Sequence, residues 1–272
     1  MRIARVFPRR TNATPDDKLA FIDCPPPFYA EADEVHISVV YTWDLQYAEW
    51  LAEQWKSVAP VKIGGPALCK PSGEFVPGMY VKNGYVITSR GCDNKCWFCS
   101  VWKREPHIKE LKIYDGWNLL DDNILACSDD HIKLVFAMLK RQKQRVQFTG
   151  GLEAKKLKSW HVNLLADLKP KQMFFAYDTP DDYEPLISAS KMLKEAGFNR
   201  QSMRCYVLIG YPEDTFGAAT KRLEGTLKLG FFPMAMLWKD KNEYASHEWK
   251  VFQREWAKPA IIYSKLITKE GR

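Results

Sequence analysis

The stretch "TSRGCDNKCWFCSVW", residues 88–102, holds three of the chain's seven cysteines. Cys92, Cys96 and Cys99 are interleaved with Lys95, Trp97 and Phe98, at the spacing Cys-x3-Cys-x2-Cys. An apolar, β-branched run at 85–89 precedes them. The thiols therefore belong on the loop at the carboxyl end of a strand, the edge where parallel barrels build active sites. An odd cysteine count in a chain read as cytoplasmic argues against a disulfide framework, and reduced thiols this close together suggest a metal.

Beyond this loop the chain alternates strand-like and helix-like stretches. Strands are expected at 85–89, 117–121, 145–149, 173–177, 203–209 and 233–238. They are short and mainly apolar on both faces, as strands buried in a parallel sheet are. Between them, Ile132, Val135, Phe136 and Leu139 follow the i, i+3, i+4, i+7 rule, and Phe216, Ala219, Leu223, Thr226 and Leu227 follow it more loosely. Thr179 before Asp181-Asp182 signals a helix start; Gly197 and Gly230 signal helix ends. Six alternating units predict an α/β fold, a partial (βα)6 barrel of the TIM type, open rather than closed with eight strands.

The remaining segments flank that body. Residues 1–80 read as a small α/β unit and linker, 81–238 as the barrel, and 239–272 as a helical extension. In the first unit, 35–41 is a strand. Thr42 or Asp44 caps a helix reaching about Lys56, with Leu45, Ala48, Leu51 and Trp55 as its buried stripe. Another strand follows at 61–63. In the extension, Trp249, Phe252 and Trp256 form a stripe expected to pack on the body.

Bulk properties narrow the class. The 272 residues are 46% hydrophobic and 27% charged, an ordinary globular composition. No apolar run reaches the roughly 18 to 20 residues that span a bilayer, and the start of the chain lacks a signal peptide's apolar core, so the reading is cytoplasmic with no membrane partner. The net charge of +7 permits contact with nucleic acid without requiring it. The basic residues are scattered, as on solvated helix surfaces.

Three thiolates leave either a zinc ion or a four-iron cluster one ligand short. Structural zinc normally closes its shell with a fourth Cys or His from a second pair. His107, Cys127 and His131 are the nearest candidates, and none forms such a pair. A [4Fe–4S] cluster fits better, since thiolates are its standard ligands. Cys127 and Cys205 are too isolated for a second cluster and read as small buried hydrophobes.

The spacing, the aromatic before the last cysteine, the preceding strand and the βα rhythm together resemble the radical S-adenosylmethionine (radical SAM) enzymes. The resemblance implies that Cys92, Cys96 and Cys99 hold a [4Fe–4S] cluster with one open iron. That iron chelates the amino and carboxylate groups of S-adenosyl-L-methionine. Reductive cleavage gives a 5′-deoxyadenosyl radical, which removes a hydrogen atom from a substrate. An electron donor such as flavodoxin or ferredoxin is implied as a partner. Phe98 is expected near the adenine.

Further cofactor contacts are expected at other strand ends. Asp121 and Asn123, in "NLLDDNILA", stand where the family often has Gly-Gly-Glu and resemble the variant of the subfamily with a cobalamin-domain relative at its N-terminus. Gly150, Gly151 and Glu153, in "FTGGLEA", end the third strand. Ile209, Gly210 and Glu213, in "YVLIGYPEDT", resemble a family motif, with Tyr206 in place of its first glycine. Glu213, Asp214 and Thr215 could equally cap the next helix. Met234 and Met236 on the sixth strand read as core.

The segment "EVHISVVYTWDLQYAEWLAEQWK…PVKIGGPAL" resembles the second βα unit of a cobalamin-binding domain. The family's Asp-x-His-x-x-Gly is only approximated by residues 34–39, which have the wrong acid and no glycine. The unit is thus expected to be a truncated relative serving structure or substrate docking. The competing reading of the chain is a non-catalytic, zinc-stabilised module that binds nucleic acid.

Overall fold

A computed structural model describes residues 1–27, 29, 31–70, 73–239 and 245–270, with backbone alone for 265–270. The chain forms two compact units: residues 1–122 with 127–138, and residues 123–126 with 139–272.

The first unit opens with a parallel sheet. Its strands are β1 (Ile3–Phe7), β2 (Ala20–Ile22), β3 (Glu34–Ser38) and β4 (Val61–Gly64), in the order β2-β1-β3-β4. Helix α1 (Leu45–Trp55) buries Ala48, Leu51, Ala52 and Trp55 against Ala4, Val6, Val35, Ile37 and Val39. Trp55 is fully buried, and its indole N–H donates to the Asp23 carbonyl at 2.9 Å, so the apolar body is sheltered while its one polar group is satisfied. Burial of such a side chain contributes about 1.5–3 kcal/mol.

Asp44 stands at the N-cap of α1, one of the two positions expected, but does not cap the helix through its side chain. A turn of 3-10 helix (Thr42–Asp44) precedes it, and neither Tyr41 nor Asp44 makes a side-chain capping bond. Asp44 is buried, and its carboxylate accepts Arg9 Nε at 2.7 Å and a second, very short bond from Arg9 Nη2. A buried carboxylate is stabilised more by a two-pronged guanidinium than by one backbone N–H. The strand expected at 35–41 stops at Ser38 for the same local reason: Tyr41 already belongs to the turn, its carbonyl accepting Asp44 N–H at 3.1 Å.

After the linker come β5 (Tyr85–Val86), β6 (Ser89–Arg90), α2 (Val101–Arg104), β7 (Lys109–Glu110), β8 (Asn118–Leu119) and α3 (Asp129–Lys140). β5 pairs in parallel with β8, whereas β6 pairs antiparallel with β7. The single strand expected at 85–89 is therefore two short pieces in different sheets. Ile132, Val135 and Phe136 of α3 are buried, in keeping with its periodicity.

The second unit holds β9 (Gln147–Phe148), α4 (Ser159–Leu168), β10 (Gln172–Tyr177), α5 (Tyr183–Glu195), β11 (Met203–Ile209), α6 (Phe216–Lys228), β12 (Phe232–Leu237), α7 (His247–Glu255) and α8 (Pro259–Glu270). Strands β9 to β12 are parallel and lie in chain order. Met173, Phe175, Cys205, Val207 and Ala235 lie on one buried face, as do Leu186, Ala189, Leu193, Ala219 and Leu223 of the helices. Gly197 and Gly230 end α5 and α6 with φ of 87° and 89°. Phe198 N–H reaches the Leu193 carbonyl and Phe231 N–H the Thr226 carbonyl, so both helices close by the motif that favours glycine there.

The other face of this sheet departs from expectation. Met234 and Met236 are 39% and 43% exposed, not core. In register they align with Tyr206 and Leu208, and Ala176 beside Tyr206 is exposed as well. Strand alternation puts residues 234 and 236 opposite the helix-covered side. The extension does pack on the body: Trp249 lies 4.3 Å from Phe216 between ring centres, Trp256 is buried, and Gln253 donates to the Ala235 carbonyl at 3.1 Å.

Candidate metal centre

In the first unit the cysteine loop leaves β6 and leads into α2. It is pinned at several backbone points. The Trp102 indole N–H donates to the Cys96 carbonyl at 2.9 Å, and Cys99 N–H to the same carbonyl at 3.1 Å. Val101 N–H donates to the Cys99 sulfur at 3.4 Å, the kind of bond that favours thiolate. Burial pushes the Cys99 thiol up, and the Cys92 charge adds to this; Arg104 pulls the other way. Phe98 is half-buried and meets Trp97 edge to face at 5.4 Å. Among the described residues, no three His, Cys, Asp or Glu side chains close around a common point.

Gly91, just before Cys92, has φ of 93°, and a Cβ there would fall 2.1 Å from the His107 carbonyl oxygen. Only glycine fits that backbone. Its N–H donates to Asp122 Oδ2 at 2.9 Å. Arg90 and Arg104 approach Asp122 Oδ1 at 3.9 and 3.7 Å. Arg104 is buried, so Asp122 balances charge as well as shaping the loop. Sequence reading passed over Asp122, Arg90 and Arg104. The adjoining carboxylate, Asp121, was the candidate, and nothing local distinguishes the two.

Asp121 is 1% exposed. Its carboxylate accepts Thr88 N–H and Thr88 Oγ1, each at 2.6 Å, and Ser89 Oγ at 2.7 Å. Burial pushes its pKa up, while these bonds from Thr88 and Ser89 pull it down. The geometry makes Asp121 a staple between the segment after β8 and residues 88 and 89, which follow β5. Buried Cys127 stands beside it, its thiol pushed up to about 12 by burial. Cys205 is buried too, as read from sequence.

The second unit carries the other candidates. Asn123 is buried, and its Nδ2 donates to Glu153 Oε2 at 2.6 Å, so these two residues, thirty apart in sequence, meet. Gly150 and Gly151 follow β9 after Thr149 and are half-buried. At the end of β11, Ile209 is buried and Gly210 has φ of 72°; a Cβ there would meet Leu237 at 2.7 Å and Trp249 at 3.1 Å. Glu213 is exposed with φ of 70° and does not cap α6. Thr215 does, accepting Ala218 N–H at 3.1 Å. Asp214 organises the turn: its fully buried carboxylate accepts Gly210 N–H at 2.8 Å and Arg222 Nη2 at 2.7 Å.

Asp178, at the end of β10, was missed. Burial and then the nearby Asp182 charge push its pKa up to about 7, against the Leu208 N–H it accepts at 3.1 Å and against Arg222. Asp182 in turn meets Lys155 at 3.3 Å. The flag in the sequence was the acidic run after a strand, "YDTPDD", read only as a helix start.

No protein-family model and no curated protein matches the sequence. Two solved structures of the radical S-adenosylmethionine methyltransferase TsrM from Kitasatospora setae are similar in fold. The one with cobalamin and a [4Fe-4S] cluster bound gives a TM-score of 0.62 at 12% identity, over 86% of this chain and 74% of that one. The one with tryptophan substrate and the SAM analogue aza-SAM bound gives 0.58 at 11% identity, over 77% and 62%. At such identities the likeness is one of fold: the chain has a radical SAM-like α/β fold. Among the described residues no helix is long and apolar enough to cross a membrane.

Proposed function

We propose that the chain is a radical SAM enzyme that binds a [4Fe–4S] cluster through Cys92, Cys96 and Cys99 and cleaves S-adenosyl-L-methionine reductively to start hydrogen-atom abstraction from a substrate. The observation that carries this is the three-thiol loop, anchored at Gly91 by Asp122, in a chain with a radical SAM-like fold. The donor set fits the cluster in kind: three thiols on one short segment, with the Arg104 charge acting on Cys99. When bound, such a cluster supplies the electron that breaks a carbon–sulfur bond of the sulfonium.

The chain's own groups would orient and shield. Asp122 fixes the backbone ahead of Cys92, and Trp102 fixes Cys96. Phe98 offers an apolar ring for the adenine. Asn123 with Glu153, the backbone at Gly150 and Gly151, and the turn of Ile209, Gly210 and Glu213 offer polar contacts for the rest of the cofactor. Residues 1–80 would serve structure or docking, 81–238 the partial barrel and 239–272 its extension. A flavodoxin or ferredoxin would supply electrons.

The test is anaerobic reconstitution with iron and sulfide. A brown protein with about four irons and four sulfides is expected, followed by 5′-deoxyadenosine after reduction in the presence of the cofactor. A colourless protein holding one zinc ion would sink the reading in favour of a zinc-stabilised module.

A further inference from the structure

A cavity of about 450 Å³ opens at the amino ends of β9, β10 and β11, the opposite end of the sheet from the carboxyl-edge residues of the same unit. Arg145, Lys169, Lys171 and Arg204 line it, together with the amides Gln172 and Gln201, and no Asp or Glu does. Among the described residues none of the four cations forms an ion pair. Arg204 lies on β11, in register between Phe174 and Phe232. Its guanidinium sits 4.6 Å from the Phe232 ring centre, and its Nε is buried without a hydrogen-bond partner.

A solvated surface is the plainer account of scattered lysines, and cations do gather near helix C-termini. That explains Lys169, which caps the end of α4. It does not explain Arg145 and Lys171, which precede strands, or Arg204 within β11. Four like charges around one concavity repel one another unless an anion neutralises them. Guanidinium and ammonium groups together are the usual recognition set for phosphate oxygens. The volume lies in the range of about 300 to 1,000 Å³ that suits a small ligand, rather than the extended surface a nucleic acid needs.

We propose that this cavity binds a phosphorylated small molecule, whose phosphate groups are held by Arg145, Lys169, Lys171 and Arg204. No residue of the cysteine loop lines the cavity, and binding there needs no cluster.

The probe is inorganic pyrophosphate, titrated calorimetrically into the full-length protein at low salt. Saturable binding to one site is expected. The double variant Arg145→Gln/Lys171→Gln should weaken it by about tenfold or more, through two lost charge-assisted bonds. Lys191→Gln, on the exposed surface of α5, should leave it unchanged. Far-UV circular dichroism checks that the variants fold, and the two single variants carry the comparison if the double one does not. No binding by wild type, or equal binding by the variants, overturns the proposal. So does a short single-stranded RNA that binds with the same sensitivity to the variants while pyrophosphate fails to bind. Because the titration needs no iron, its failure leaves the radical SAM reading untouched.

Discussion

Asp122 accepts the backbone N–H of Gly91 at 2.9 Å, so the residue immediately before Cys92 is fixed by a carboxylate thirty-one positions away. Nearby Arg90 and Arg104 turn this contact into a small charge network.

Asp122→Ala should therefore act on stability and on the loop together. It removes a hydrogen bond to a charged group, worth about 1.5–3 kcal/mol, and leaves Arg104 buried without its counter-charge. An unfolding free energy from urea titration that falls by that amount, with less iron retained on reconstitution, is the expected result. Asp122→Asn should recover part of the stability but not the charge balance.

Gly91→Ala forces a Cβ against the His107 carbonyl and into a left-handed backbone. The backbone strain alone costs about 1–2 kcal/mol, and the clash adds to it because the facing atom is main chain. Iron per chain after reconstitution should drop well below wild type.

Single Cys92→Ala, Cys96→Ala and Cys99→Ala variants should each abolish cluster assembly and 5′-deoxyadenosine formation. Cys127→Ala and Cys205→Ala should leave both intact, since burial pushes both thiols up and keeps them protonated. Iron and sulfide analysis of all five variants checks this.

Arg222→Ala should destabilise the second unit severely. It strands the buried Asp214 carboxylate, and breaking a buried pair from one side costs about 3–5 kcal/mol. The double variant Arg222→Met/Asp214→Asn should cost less than the single one, which a double-mutant cycle by urea unfolding would show.

Asp178 makes stability depend on pH in a stated direction. Its folded pKa, about 7, is above its ordinary value of 3.8. Between those values the folded state holds the extra proton, so stability falls as pH rises from about 4 to about 7 and then levels off. At about 1.4 kcal/mol per unit, the loss is on the order of 2–4 kcal/mol. Asp178→Asn keeps the oxygen that accepts Leu208 N–H and should flatten the profile across that window. An unchanged slope would remove Asp178 as its source.

The cysteine motif, the stripe of α1 and the helix ends at Gly197 and Gly230 could be read from sequence because each depends on residues a few positions apart. Asp121, Asp122 and Asn123 show where such reading stops. Three adjacent polar residues have three destinations: Thr88 and Ser89, Gly91, and Glu153. The three lie in irregular backbone beyond the end of β8, where no strand or helix period says which way each one faces. Met234 and Met236 were misread for a similar reason, since two methionines in an apolar strand look the same facing helices or facing solvent.

Local chemistry, then, settled the helices and the βα rhythm and nominated the sulfur donors. Spacing along the chain is enough to set those. Long-range pairing settled which carboxylates are staples, which one titrates near neutrality, and that four cations between positions 145 and 204 surround one cavity. Burial and charge act through space, and distances through space are set by sheet register and helix packing rather than by position along the chain.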